Sequence, residues 1–95
     1  MMFAYKPSGG VAAAGTANTH NILSDMGGAA KWLAITDTHA TGKLEITLSE
    51  NGTDYTAAEF DVNGAQTVIL AGLNVASIKV DASVNGTTYT ILAGR

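Results

Sequence analysis

Apolar and polar residues alternate most strictly from Lys43 to Ser49. Leu44, Ile46 and Leu48 fall on one side, and Lys43, Glu45, Thr47 and Ser49 on the other. A period of two is that of a strand with one dry and one wet face. Asn51-Gly52 follows, a pair that tolerates the positive φ of a tight type I′ turn. The chain then returns through Tyr55 and Thr56 to Phe60, so Lys43 to Phe60 is predicted to be a β-hairpin. Val75 to Ala82 alternates in the same way, with Ala76, Ile78, Val80 and Ala82 opposite Ser77, Lys79 and Asp81. Thr87 to Ala93 places Tyr89, Ile91 and Ala93 together. Ala30 to Thr36 also reads as a strand, but with apolar side chains on both faces: Leu33 and Ile35 on one, Trp32 and Ala34 on the other. That pattern marks a central strand covered on both sides or a contact face.

Gln66 to Ala71 is a further strand, and Asn21 to Asp25 a short one. Met26-Gly27-Gly28, Asp37 to Gly42, Asp61 to Gly64, Gly72-Leu73-Asn74 and Asn85-Gly86 read as loops and turns, the last as a second hairpin turn. Six to seven short strands at intervals of about 8–12 residues predict an all-β fold, a small antiparallel β-sandwich or barrel. Asn51-Gly-Thr-Asp-Tyr-Thr56 and Asn85-Gly-Thr-Thr-Tyr-Thr90 echo each other, as expected if one turn chemistry is used twice.

Residues 1–21 differ from the rest. Met1, Met2, Phe3 and Tyr5 form an apolar plug, Pro7 and Gly9-Gly10 break regular structure, and Ala12 to Asn18 is small and featureless. This segment is expected to be an extended N-terminal arm ahead of a single domain over residues 22–95. Two roles are open to it. Phe3 and Tyr5 can tuck against the same sheet as an extra edge strand, or the arm can latch onto another subunit by strand addition.

Composition narrows the function more than the fold. The chain has 95 residues, so it forms one domain with a modest core. It has no cysteine, which excludes disulfides and thiolate metal sites. Charged residues are 14% and the formal net charge is -3. Lys6, Lys31, Lys43, Lys79 and Arg95 are scattered singly, so no basic stripe serves a phosphate backbone, and nucleic acid is not an expected partner. No apolar run is long enough for a membrane-spanning helix, and Pro7-Ser8-Gly9-Gly10 interrupts the place where a signal peptide would need its apolar core.

The parts of an enzyme are missing as well. There is no Gly-x-Ser-x-Gly elbow and no phosphate-cradling glycine loop. Only His20 and His39 could serve as bases. Asp37-x-His39 is not a specific metal spacing, and the acidic residues match no calcium loop. No enzymatic activity and no cofactor or metal are expected. Asn51-Gly-Thr53 and Asn85-Gly-Thr87 match the glycosylation acceptor pattern, which the turn chemistry of Asn-Gly already explains. Trp32, Tyr55 and Tyr89 can be core, partner-contact or sugar-stacking residues.

Taken together, the Gly/Ala/Thr-rich opening MMFAYKPSGGVAAAG, the cysteine-free and weakly charged β-domain, the hairpins SENGTDYT and SVNGTTYT, and the ending TILAGR resemble the small accessory proteins of tailed-phage virions. Among these the likeness is to capsid decoration or cement proteins. The resemblance implies docking on the outer face of a capsid shell, a bridging role between subunits of the major capsid protein, and homo-oligomers, often trimers. It transfers no single functional residue. Under it, Met1, Met2, Phe3 and Tyr5 are the expected anchors of the arm and Trp32 a candidate contact residue. The alternative is a carbohydrate- or receptor-binding module of a phage tail, fibre or adhesin, using Asp37, His39, Asn63, Asn74 and an exposed Trp32.

Overall fold

The structure, a computed structural model, describes residues 4–5 and 8–95. Among these the chain forms β1 (Ala4–Tyr5), β2 (Ser8–Val11), β3 (Asn18–His20), α1 (Ile22–Met26), β4 (Ala30–Asp37), β5 (Leu44–Ser49), β6 (Ala58–Val62), β7 (Thr67–Val75), β8 (Ser77–Ala82) and β9 (Thr87–Gly94). The strands make two antiparallel sheets. One runs β1-β9-β4-β7, with β2 also paired to β9; the other runs β3-β8-β5-β6. The fold is all-β and sandwich-like, as the alternation predicts. Residues 22–95 supply six of the strands, and the segment before them supplies the other three.

The core is the layer between the sheets. Leu33, Ile35, Tyr89, Ile91 and Ala93 line it from one side, and Leu44, Ile46, Leu48, Ile78, Val80 and Ala82 from the other; all are buried. Each fully buried aliphatic side chain contributes about 1.5–3 kcal/mol, so this single layer carries most of the stability. β4 lies between β7 and β9, the central position that its two apolar faces imply.

Several local expectations are corrected. Only β5 and β6 are joined as a hairpin, and their turn is not type I′: Gly52 has φ +85, but Asn51 has no positive φ. The connection is the longer loop 50–57, wound around the Asn51 side chain. Asn51 Oδ1 accepts from the backbone N–H of Thr53 (2.9 Å) and of Asp54 (2.8 Å). Asn85-Gly86 is not a hairpin turn either, because β8 and β9 belong to different sheets. Gly72 does not end a strand. With φ +81 it lets β7 bulge between Ala71 and Val75, opposite the Ala30–Trp32 irregularity, and the strand runs on. Asn21 to Asp25 is not a strand. Ile22 and Met26, four apart, are both buried, a spacing that one helical turn satisfies and a strand does not. Asn21 caps the helix through Ser24 N–H, and Gly27 (φ +74) ends it.

The expected arm folds back onto its own domain over its described residues. β1 and β2 pair with β9 in one continuous register, and β3 pairs with the edge of β8 in the other sheet. Val11 is fully buried in the core. The described part of the segment therefore pairs along one edge of each sheet, while Phe3 and the Tyr5 side chain lie outside the described residues.

The crossing from β6 to β7 holds one strained residue. Asn63 O accepts from Gln66 N–H at 3.1 Å, and Ala65 has φ +59, where glycine is favoured. The glycine stands one position earlier because space requires it: a Cβ on Gly64 would lie 2.6 Å from Ala40 O. Ala65→Gly is expected to raise stability by up to about 1 kcal/mol, and Gly64→Ala to lower it by at least as much. Urea unfolding midpoints of the two variants check the opposite signs.

Candidate functional site

The outer faces of the two sheets differ in kind. On the β5–β6–β8 sheet, Glu45 sits between Asp61 and Asp81, and Thr47 sits between Glu59 and Lys79. Lys43 Nζ approaches Glu45 (3.8 Å) and Asp61 (3.5 Å), a half-exposed cluster of small energetic weight. A row of three carboxylates with one lysine needs water around it.

Over β7, β4 and β9 the outer face of the five-stranded sheet carries no charged side chain among the described residues in three cross-strand rows. These are Ala71–Trp32–Gly94, Ile69–Ala34–Leu92 and Thr67–Thr36–Thr90. The first two rows are apolar. Ile69 is 72% exposed and Leu92 37%, and they flank Ala34 in one row, so the exposure is contiguous rather than that of a lone residue. The third row begins a threonine patch. Thr36 and Thr67 hydroxyls meet at 2.9 Å, and Thr38 donates to Thr88 at 2.7 Å. Among the described residues, the cations on this face are Lys31 and Arg95 at its ends, and Lys31 is hydrogen-bonded to Asn74 Oδ1. The rim strand β7 holds no charged residue in nine positions. It has no strand on its outer side among the described residues. Protein edges of this kind are normally blunted by charge or proline.

Trp32 sits within this face. It is half-buried, its indole packed over Gly94, where a Cβ would come within 2.4 Å of the ring. Its N–H is turned away from solvent and meets no acceptor among the described residues. Of the other aromatics, Tyr89 is core. Tyr55 lies half-buried on the opposite sheet, its hydroxyl 2.6 Å from Ser77 Oγ and its ring under Lys79 Nζ at 4.3 Å. The expected arm anchors Met1, Met2, Phe3 and the Tyr5 side chain lie outside the described residues.

Of the loop residues considered for a sugar or receptor site, Asp37, His39 and Asn63 lie in two adjoining loops and Asn74 lies apart from them. Asp37 is buried and accepts His39 N–H at 2.8 Å, and His39 Nδ1 accepts Gly42 N–H at 2.9 Å. The pair builds its loop, and the Nδ1 lone pair is occupied. Asn63 belongs to the neighbouring turn, where Ala65 N–H reaches His39 O. Asn74 is at the opposite end of β4, beside Lys31. The polar cleft of about 390 Å³ at Glu50, Asn51, Asp54, Thr56 and Ala57 is an open depression beside the hairpin loop. Among the described residues, no three His, Asp or Glu side chains come together as a metal site.

Sequence reasoning overlooked one polar cluster. Tyr89 Oη lies 2.6 Å from His20 Nε2 and accepts from Asn18 Nδ2 at 3.2 Å, while Asn18 also donates to Gly10 O at 2.8 Å. This knot ties β2, β3 and β9 together at the seam between the sheets. Burial lowers the His20 pKa below its ordinary 6.5, with Asp25 opposing, and burial raises that of Tyr89 above 10.0, with the Asn18 bond opposing. Nothing in the spacing of Asn18, His20 and Tyr89 signals the cluster; only the pairing of β2 and β3 with separate sheets assembles it.

No protein-family model matches the chain, and a search of curated proteins finds no relative.

The knot sets a pH dependence. With its pKa lowered on folding, His20 binds fewer protons in the folded state than in the unfolded state. Stability should therefore be full above about pH 6.5 and fall as pH drops through that value, levelling off below the folded pKa. Urea midpoints between pH 8 and 5 should decline for the wild type and decline less for His20→Gln; superimposable profiles would show that His20 does not titrate this way.

Proposed function

We propose that this chain is a virion structural protein, a capsid decoration protein that docks on the outer surface of an assembled shell and bridges its major capsid subunits. The observation that carries this reading is the division of the surface. One outer face is acidic and suited to solvent. The other, over its described residues, is apolar to threonine-rich and uncharged across three cross-strand rows, bordered by an edge strand with no outer partner among those residues. A binder that recognises only the assembled lattice stabilises that lattice by mass action, and a neutral face lets it do so without desolvating ions. The open β7 edge supports association with further copies around the same face. Under this reading Trp32, Ile69 and Leu92 are the contact residues at the apolar end, and the closed edges at β1, β2 and β3 keep the sandwich rigid.

Quantitative mass spectrometry of purified particles tests the role. A copy number within a few-fold of the most abundant shell protein supports decoration, and absence from particles rules it out. Ile69→Lys places a charge on the neutral face. It should leave circular dichroism unchanged and weaken co-sedimentation with shells by about tenfold or more, as a buried unpaired charge requires. Thr47→Lys on the acidic face should have little effect.

A further inference from the structure

The chain contains three Asn-Gly pairs, and the structure treats them differently. At Asn51-Gly52, Gly52 N–H donates to Ser49 Oγ at 2.8 Å, and the Asn51 amide is held at both ends, accepting from Thr53 and Asp54 and donating to Asp54 Oδ2 at 3.1 Å. At Asn85-Gly86, Gly86 N–H donates to Val11 O at 2.7 Å, and Asn85 Oδ1 accepts from Ala14 N–H at 2.8 Å. At Asn63-Gly64 neither restraint exists. The Asn63 side chain is exposed and makes no hydrogen bond, and Gly64 N–H donates to no acceptor, among the described residues. The Asn63 carbonyl alone is held, by Gln66 N–H.

We propose that Asn63 is a site of spontaneous covalent modification, a deamidation centre that adds a negative charge to the β6–β7 crossing as the protein ages. The Gly64 amide nitrogen, its proton lost to solvent base, attacks Asn63 Cγ. The new N–Cγ bond closes a five-membered imide, and the side-chain nitrogen leaves as ammonia. Water then opens the ring at either carbonyl, leaving aspartate or isoaspartate. The net change is consumption of one water and release of one ammonia, with no oxidant or cofactor. The reaction needs a nucleophilic nitrogen free of an acceptor and a side chain free to swing onto it, and of the three pairs only this one offers both. The isoaspartate product adds a methylene to the backbone at a place without slack. Gly64 already packs so closely on Ala40 that a Cβ would lie 2.6 Å from its carbonyl oxygen. Modification therefore also strains the Ala65 N–H to His39 O contact that joins this turn to the loop after β4.

The test is incubation of the folded protein at mildly alkaline pH in ¹⁸O-labelled water, followed by peptide mapping. Label should enter at residue 63 first, with Asn51 and Asn85 slower by about tenfold or more. The same incubation in concentrated urea should bring the three rates together, since each asparagine is followed by glycine. Asn63→Gln should abolish the early label without unfolding the protein. Equal rates at the three sites in the folded protein, or slow labelling of residue 63 there, would overturn the proposal. A rate order that persists unchanged in urea would overturn the structural cause.

Discussion

A single apolar layer is shared by β2 and by all six strands from β4 to β9. A domain this small cannot sustain a second core, so these strands turn one apolar face inward from one sheet or the other. The chain meets the requirement by crossing repeatedly between sheets. β2 hands over to β3, β3 to β4, β4 to β5, β6 to β7, β7 to β8 and β8 to β9, while β1 and β2 share one sheet and β5 and β6 the other. Ala76 shows how tight a crossing can be. It links β7 to β8 as a single residue, its N–H donates to Ser49 O at 2.8 Å, and its carbonyl receives Leu23 N–H at 2.9 Å.

With the core committed to one layer, the N-terminal segment and the two outer faces absorb the remaining demands. Residues 8–20 spread over the seam, pairing β2 with one sheet and β3 with the other, and the Asn18–His20–Tyr89 knot holds the seam from within. Charge is confined largely to the β5–β6–β8 face and the loops. The face built from β4, β7 and β9 is left neutral, and the functional proposal rests on that asymmetry. It does not depend on the far N-terminal residues that the resemblance to decoration proteins brings forward as anchors.

Much of the fold was legible in the sequence. The alternation at Leu44, Ile46 and Leu48, at Ile78 and Val80, and at Tyr89 and Ile91 named the core correctly, because a period of two survives whatever lies at the strand ends. The connections were not legible. Asn-Gly and Gly-rich stretches serve hairpins, wide loops and sheet-to-sheet arches alike, so Asn85-Gly86 could not announce a crossing. α1 is too short to show a period, and its Ile22–Met26 spacing has meaning only once both are seen to be buried. Asn63-Gly64 reads as a turn and lies in one, but close approach to Ala40 is what requires the glycine, and Ala65 takes the left-handed conformation. The candidate face was legible in part: Trp32 and Ala34 opposite Leu33 and Ile35 indicated a second apolar surface. Its extension through Ile69 and Leu92 depends on strands distant in sequence becoming neighbours.

Hydroxyl-radical footprinting of the protein, free and bound to its particles, addresses the central claim most directly, because it reads side chains on both faces in one experiment. The account expects Trp32, Ile69 and Leu92 to lose reactivity on binding while Tyr55, on the acidic sheet, keeps it. Protection of Tyr55 with Ile69 and Leu92 unchanged would contradict it and assign docking to the charged face.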